Sequence, residues 1–271
     1  MREFYERFYA TVPASRAYAL FCERAFGRDL SQHGFADVEQ LEAIIEVTGL
    51  GPTERALDLG CGNGRIAEYL AGRTGAHFTG LDYIPEAIQQ ARARTVARAD
   101  RLVFLVGNIK ALDLPADTFD VIVSIDTLYF SDDLTRTLRE LCVALSPGGR
   151  MAILHTYGWE PAMSLEEFDA RTLHPAQTPL GQALRANGLR FQTQDWTAAD
   201  YRLTLLRGEV LRELEPQFRS EGLGFLYENR MGEVVGMTRS HELGLLRRYL
   251  YHVKVDEEPI RSLQLDFEQH R

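Results

Sequence analysis

The segment ALDLGCGNGRIAEYL, which begins at Ala56, constrains the fold of this chain more than any other feature. A short β-type run passes through Asp58 into Gly60, Gly62 and Gly64, and a helical pattern follows directly. Glycines allow a tight turn and expose peptide N–H groups at the start of a helix, where polar ligands bind. The spacing is G-x-G-x-G, whereas dinucleotide-binding turns carry G-x-G-x-x-G. The segment therefore predicts a strand–loop–helix unit with a ligand at its loop.

Short β-type runs alternate with amphipathic helices from Ala56 to His155, which is typical of a parallel sheet covered on both faces. The predicted strands are 56–59, 77–81, 102–106, 121–125, 151–155, 190–196 and 249–255. The predicted helices between the first five strands are 66–70, 85–97 and 134–145. Pro147-Gly148-Gly149 is expected to end the last of these helices, and Asp126 or Asp132 to cap its start. The predicted fold is α/β, with a doubly wound, mostly parallel sheet of seven strands.

The composition excludes several classes of protein. Hydrophobic residues make up 45% of the 271 positions and charged residues 25%, as in an ordinary globular protein. The apolar runs are strand-sized, well short of the roughly 20 residues that cross a bilayer, and the N-terminal start lacks a signal-peptide pattern. We therefore expect a cytoplasmic location and no membrane partner.

Charge and cysteine usage narrow the partners further. The net charge of -9, with no Lys/Arg cluster, argues against nucleic acid as a partner. Cys22, Cys61 and Cys142 lie far apart, so we expect reduced thiols, no disulfide and no metal site. The sequence leaves the oligomeric state open, with a homodimer as one alternative.

Residues after the second and third predicted strands indicate a nucleoside site. Asp82 ends the second strand about twenty residues after Gly62, where it could accept hydrogen bonds from ribose hydroxyls. Asn108 follows the third strand and could recognise an adenine edge through its amide. Ile109 and Tyr83 could pack on the two faces of the same base.

In chain order, the segments DLGCGNG, GLDY, GNI, FDVIVSID and SPGGR resemble the motifs of the class I S-adenosylmethionine (SAM)-dependent methyltransferases. The resemblance covers roughly residues 56–157 and implies a Rossmann-like methyltransferase fold with SAM as cofactor and S-adenosylhomocysteine as product. It implies that Gly60, Gly62 and Gly64 surround the methionine part of SAM, that Asp82 binds the ribose and that Asn108 meets the adenine. Many relatives carry Asp at this last position, but an amide can also bond adenine.

The resemblance assigns two more positions in the core. The backbone near Ile125 is expected to hold the amino group of the cofactor, and Asp58 to set the electrostatics of the loop. The N-terminal segment is also similar to the small-molecule branch of the family, whose first helices fold over the cofactor. On this interpretation Gln32 or His33 touches cofactor or acceptor, and Tyr5 or Tyr9 lines the same cleft.

The resemblance also divides the chain into four parts. Residues 1–50 are expected to form a helical cap over the cofactor, and 51–157 the SAM-binding core. Residues 158–248 are expected to form a helical substrate cap that contains one core strand near 190–196, and 249–271 the last strand and a tail.

Methyl transfer depends mainly on positioning the acceptor, because the sulfonium of SAM already activates the methyl group. A general base is needed only if the attacking atom carries a proton. His155 and Tyr157, at the end of the fifth predicted strand, are candidate bases, and His33 and Tyr129 are further candidates, with His155 first. Arg230 or Arg171 could receive a carboxylate of the acceptor.

The favoured function is transfer of a methyl group to an N, O or C centre of a small-molecule acceptor by in-line displacement. An NAD-linked oxidoreductase is one alternative, although the G-x-G-x-G spacing disfavours it. A non-catalytic SAM-binding module is the other.

Overall fold

The computed structural model describes residues 2–160 and 162–255. Its strands form one sheet in the order β3-β2-β1-β4-β5-β7-β6. The strands are β1 (Arg55–Leu59), β2 (His77–Asp82), β3 (Leu102–Val106), β4 (Phe119–Ile125), β5 (Leu145–Gly158), β6 (Arg190–Asp195) and β7 (Leu246–Lys254). The pairs among β1 to β5 are parallel, and β7 runs antiparallel to both β5 and β6. The predicted seven-stranded, mostly parallel α/β fold is confirmed.

Nine α-helices cover the described part of the chain. They are α1 (Arg2–Thr11), α2 (Arg16–Phe26), α3 (Val38–Thr48), α4 (Arg65–Thr74), α5 (Pro85–Thr95), α6 (Leu134–Ala144), α7 (Pro179–Ala186), α8 (Thr197–Ser220) and α9 (Gly224–Glu242). No described helix is both long enough and apolar enough to span a bilayer.

The ends of α6 differ from the sequence prediction at both positions. Asp133 caps the helix by accepting a hydrogen bond from the Arg136 N–H, so the expectation for Asp126 and Asp132 was wrong. The helix ends at Ala144, before the Pro-Gly-Gly segment, which lies inside β5. The pairing register of β4 with β5 shifts there. The glycines therefore serve an irregular strand start, and they do not end the helix.

The buried side chains form three clusters. Alternate residues of each central strand point to opposite faces, so one cluster lies between the sheet and α3, α4 and α5, and a second between the sheet and α6 and α7. The third cluster joins α1 and α2 to α8 and α9, away from the sheet. The helices from the two ends of the chain thus pack together as one unit.

All three cysteines are buried and free. Of the tail predicted at 249–271, residues 256–271 lie outside the described residues.

Candidate cofactor and acceptor site

A cavity of about 260 Å³ lies at the carboxyl ends of β1, β2 and β4, beneath α1 and the loop before α3. We call it the first cavity. In open α/β sheets this edge is where ligands bind. The sequence-predicted residues in its wall are Tyr5, Tyr9, His33, Gly60, Asp82, Tyr83, Ile109 and Ile125.

Two positions in the loop after β1 require glycine for different steric reasons. Gly60 lines the first cavity with φ +78, and a Cβ there would overlap the side chain of Thr127. Gly64 has φ +76 and does not line the cavity; a Cβ there would overlap the ring of Phe104. Gly60 therefore lets Thr127 pack against the loop after β1, whereas Gly64 lets α4 start close to β3.

The Asp82 carboxylate is held in place by backbone N–H groups. Oδ2 accepts from Gly62 and Oδ1 accepts from Ile84, each at 2.9 Å. Burial raises the pKa of Asp82, and these hydrogen bonds oppose the rise. Each oxygen keeps a lone pair, so the carboxylate can accept from two adjacent hydroxyls, as the ribose of SAM would require.

The residues predicted to meet adenine divide into two groups. Tyr83 and Ile109 are in the wall of the first cavity, where they can pack against a flat base. Asn108 is exposed and outside the wall of the first cavity. Its Oδ1 accepts from the backbone N–H of Lys110, two residues further along the chain. Its contact with adenine stays a prediction.

A side pocket of about 50 Å³ adjoins the first cavity at Gly60 and Ile125. Its polar wall includes Asp58 and Gln32, and buried oxygens of both, Oδ2 and Oε1, have no hydrogen-bond partner among the described residues. Unpartnered buried acceptors are costly in a folded protein. A ligand with several N–H donors would satisfy them, so this pocket fits the ammonium group of SAM.

The charge state of Asp58 should make SAM binding depend on pH. Burial, and then Asp82, raises the pKa of Asp58 to about 7. A bound ammonium favours the carboxylate, so we expect SAM affinity to fall roughly fivefold to tenfold from pH 7.5 to 6.0. Asp58→Asn should bind SAM more weakly and lose most of this dependence. Calorimetric titration of both proteins at the two pH values measures it, and equal pH dependence would contradict the assignment.

Stability without SAM gives the matching control. A buried acid with a raised pKa favours the folded state most at low pH and loses that contribution as pH rises through its folded-state pKa. The difference in free energy of unfolding, wild type minus Asp58→Asn, should therefore fall as pH rises from 5 to 8.

A second cavity of about 940 Å³ lies beyond the first, between β5 and α9. The two cavities share Phe35, Tyr129 and Glu233 in their walls. The two cavities are therefore adjacent, and we call these three shared wall residues the junction.

The candidate bases are placed apart. His155 and Tyr157 line the second cavity, His33 lines the first, and Tyr129 lies in the wall of both. Burial lowers the pKa of His155 to about 4, and burial together with Arg230 lowers the pKa of His33 well below its usual value. Both imidazoles are thus neutral at pH 7 and each has an unpartnered buried nitrogen, Nδ1 in His155 and Nε2 in His33.

Asp126 has a role that the sequence does not indicate. It follows β4 with φ +51, and both its oxygens accept from Arg248 of β7, at 2.8 and 3.0 Å. It also accepts from the Phe35 N–H and the Tyr129 hydroxyl. Burial would raise the pKa of Asp126, but Arg248 outweighs it and the pKa lies below its usual value. One carboxylate thus holds two residues of the junction.

Glu233 is the other residue of the junction that sequence reasoning missed. Its Oε2 accepts from Arg207 and Arg230, and its Oε1 lies 3.9 Å from His33 Nε2. The expectation that Arg230 receives an acceptor carboxylate is wrong, since Arg230 is fully buried between Glu233 and Tyr18. No motif marks Glu233, which becomes part of the site only when α9 packs over the sheet.

Arg171, the other residue expected to receive a carboxylate, is exposed and bonded to Asp169. It is in the wall of neither cavity. Within the described ranges, no group of three or more His, Cys, Asp and Glu side chains is arranged to hold a metal ion.

Comparison with known proteins agrees with this geometry. Residues 50–200 match a family model described as a methyltransferase domain. A phosphoethanolamine N-methyltransferase of Triticum aestivum is 29% identical over 190 residues, which cover 68% of this chain and 37% of the wheat protein. The 27-O-demethylrifamycin SV methyltransferase of Amycolatopsis mediterranei is 26% identical over 231 residues, covering 73% of this chain and 84% of that protein.

A solved structure shares the fold. Phosphoethanolamine N-methyltransferase 2 of Haemonchus contortus, in complex with phosphomonomethylethanolamine and S-adenosylhomocysteine, has a TM-score of 0.71 and 17% identity. The match covers 92% of this chain and 60% of that one. The chain spans little more than a third of the length of the plant relative. Since the family model covers more than half of the chain, the chain belongs to the class I SAM-dependent methyltransferases.

Proposed function

We propose that this chain transfers the methyl group of SAM to an N, O or C centre of a small-molecule acceptor bound in the second cavity. The observation that carries the proposal is the junction of Phe35, Tyr129 and Glu233, where the cavity of about 260 Å³ at the sheet edge borders the larger one of about 940 Å³. A non-catalytic SAM-binding module would not need a second cavity that opens onto the methyl group.

The residues of the two cavities have separate tasks in this proposal. SAM, when bound, supplies a methyl group on a positively charged sulfur, which leaves as a neutral thioether. Asp82 and Asp58 hold the two polar ends of the cofactor and so fix where the methyl group lies. Phe35 and Tyr129 restrict water at the junction and align the acceptor, and such positioning can lower a barrier by about 7 to 11 kcal/mol in favourable cases.

A base is needed only for an acceptor that attacks through a protonated atom. His155 and Tyr157 in the second cavity and His33 in the first are our candidates. His155 is neutral and its Nδ1 has no partner among the described residues, so it can accept a hydrogen bond from the acceptor. The burial that lowers its pKa to about 4 nevertheless makes it a weak base. The Tyr157 hydroxyl is committed to Thr172 at 3.2 Å, so we place it second.

The division of the chain is also part of the proposal. Residues 1–50 and 158–248 would act together as a cap around the core of 51–157, since α2 and α8 pack against each other. The strand β6 and the helix α7 within 158–248 belong to the sheet and its cover. A cytoplasmic location and the absence of nucleic-acid partners rest on the composition.

Incubating the full chain with SAM carrying a radiolabelled methyl group and with fractionated metabolites tests the proposal. We expect label in one acceptor fraction and release of S-adenosylhomocysteine, and mass spectrometry then identifies the product. In the same assay, His155→Ala should lower turnover while SAM affinity stays unchanged.

Two outcomes would contradict the proposal. Tight SAM binding with no transfer to any fraction would indicate the non-catalytic module. Binding of NADH without binding of SAM, measured by calorimetric titration, would indicate the oxidoreductase.

A further inference from the structure

The size and lining of the second cavity describe the acceptor. Its volume of about 940 Å³ is near the upper end of the range for small-molecule sites, roughly 300–1,000 Å³. Most of the wall is aromatic or aliphatic, as shown by Phe35, Tyr157, Trp159, Met163, Phe168 and Met237. Such a wall gains free energy by covering apolar surface and offers few groups to a small polar molecule.

The charged groups in this wall are all acidic. Glu233 lies at the junction, and Glu160 and Glu228 are exposed at the rim. Neither Lys nor Arg occurs among the described residues of the wall. Arg219 is 3.8 Å from Glu228, but it bonds Glu215 at 2.8 Å. The described wall therefore carries acidic groups and no Lys or Arg, and outside it, besides Arg219 and the buried arginines, the guanidinium of Arg239 lies 5.6 Å from the ring of Trp159.

Three fully buried arginines lie near the site, but they do not make the charge around the second cavity positive. Each is paired: Arg207 and Arg230 share Glu233, and Arg248 bonds Asp126 and lies 3.5 Å from Asp200. Three guanidinium groups thus meet three carboxylates, so the buried arginines add no net positive charge beside the rim carboxylates.

The free oxygen of Glu233 points to the chemistry at the junction. Oε2 is bonded to both arginines, whereas Oε1 makes no hydrogen bond within the described residues. Oε1 can accept from an O–H or N–H group of a molecule that reaches from the second cavity toward the first. A carboxylate or phosphate oxygen at the same point would face another acceptor and would find no donor in Oε1.

We infer that the second cavity binds a large, mostly apolar acceptor that has no anionic group and presents a hydroxyl or amine to Glu233. The inference rests on the proposed function, since it names the class of acceptor for the same site. It also separates this chain from relatives named for phosphoethanolamine, whose phosphate would find no Lys or Arg in the described wall.

A tryptophan in the wall allows a test that does not depend on turnover. Trp159 is one of two tryptophans, and Trp196 lies outside the second cavity. In a Trp196→Phe background, the fluorescence of Trp159 reports binding in the cavity. The probes are decanol, decylammonium and decanoate, which share one apolar chain, and phosphoethanolamine, all titrated below micelle-forming concentrations.

We expect decanol and decylammonium to bind, and decanoate to bind at least about tenfold more weakly because of the like charges. Phosphoethanolamine should give no signal. The double variant Glu160→Gln with Glu228→Gln should reduce the discrimination against decanoate, because it removes the rim carboxylates.

Two glycines provide a matched pair of variants for locating the probes. Gly232 of α9 lies in the cavity wall, and Gly72 of α4 lies outside it. At both positions an added Cβ would meet no atom within 4 Å. Both lie inside helices, where Gly is the weaker helix former, so both leucine variants should fold. Gly232→Leu should abolish probe binding, whereas Gly72→Leu should leave it unchanged.

Several results would overturn the inference. The first is that decanoate or phosphoethanolamine binds as tightly as decanol. The second is that none of the ten-carbon probes binds, and the third is that the probes bind fully to Gly232→Leu. Calorimetric titration of SAM to the same proteins separates this failure from failure of the proposed function. Intact SAM binding with any of these results rejects only the acceptor class, whereas absent SAM binding rejects the function.

Discussion

Asp82→Ala is expected to weaken SAM binding by about a hundredfold or more. Hydrogen bonds to a charged group contribute about 1.5–3 kcal/mol each, and two lost bonds to ribose hydroxyls correspond to at least two orders of magnitude in Kd. The carboxylate lines the first cavity with both oxygens already fixed by backbone N–H groups, so a hydroxyl pair meets it without reorganisation. Isothermal titration calorimetry with SAM measures the change.

Two controls separate lost binding from lost folding. Asp132→Ala removes an exposed carboxylate that pairs with Lys110, and it should leave SAM affinity unchanged. Circular dichroism should show that Asp82→Ala keeps its helix content, because the backbone N–H groups that lose a partner, those of Gly62, Tyr83 and Ile84, lie in loops before α4 and α5. An unchanged Kd in a folded Asp82→Ala protein would refute the ribose assignment.

Arg248→Met is expected to lower the free energy of unfolding by about 3–5 kcal/mol, the usual cost of removing one partner of a buried ion pair. Arg248 is fully buried, with Asp126 at 2.8 Å and Asp200 at 3.5 Å. Its loss leaves both carboxylates buried without their guanidinium group. Urea unfolding followed by circular dichroism measures the difference.

The adjacent residue supplies the matched control. Arg247 is half-buried and donates to the backbone carbonyls of Gly244 and Leu246. Arg247→Met should cost less than about 1 kcal/mol, as surface substitutions usually do. If the two variants lose the same small amount, the pair of Arg248 with Asp126 does not stabilise the fold as we describe.

Local patterns were sufficient to predict most of the sheet. The predicted strand 102–106 coincides with β3, and 77–81 falls one residue short of β2. These runs are dense in β-branched and aromatic residues between polar breaks, so the signal lies within a few consecutive positions. The start of β5 was missed because Pro-Gly-Gly is a turn signal in sequence, although here it opens an irregular strand.

The nucleoside end of the site was also predictable, because its residues follow the strands directly. Asp58, Gly60 and Asp82 come to one edge as soon as parallel strands are assumed. Asp126 and Glu233 were out of reach for a different reason. Asp126 pairs with a residue 122 positions away, and Glu233 reaches the junction through the packing of α9 against Arg207. No periodicity or short motif encodes such long-range pairs.

The position of β7 has a consequence for synthesis of the chain. It lies between β5 and β6 in the sheet, although it comes after both in sequence. Until residues 246–254 leave the ribosome, β5 has one open edge, β6 has no neighbour, and Asp126 lacks its counter-charge. A nascent chain stalled before this point would expose strand edges that invite wrong pairing, so folding of the sheet must wait for nearly all of the described chain.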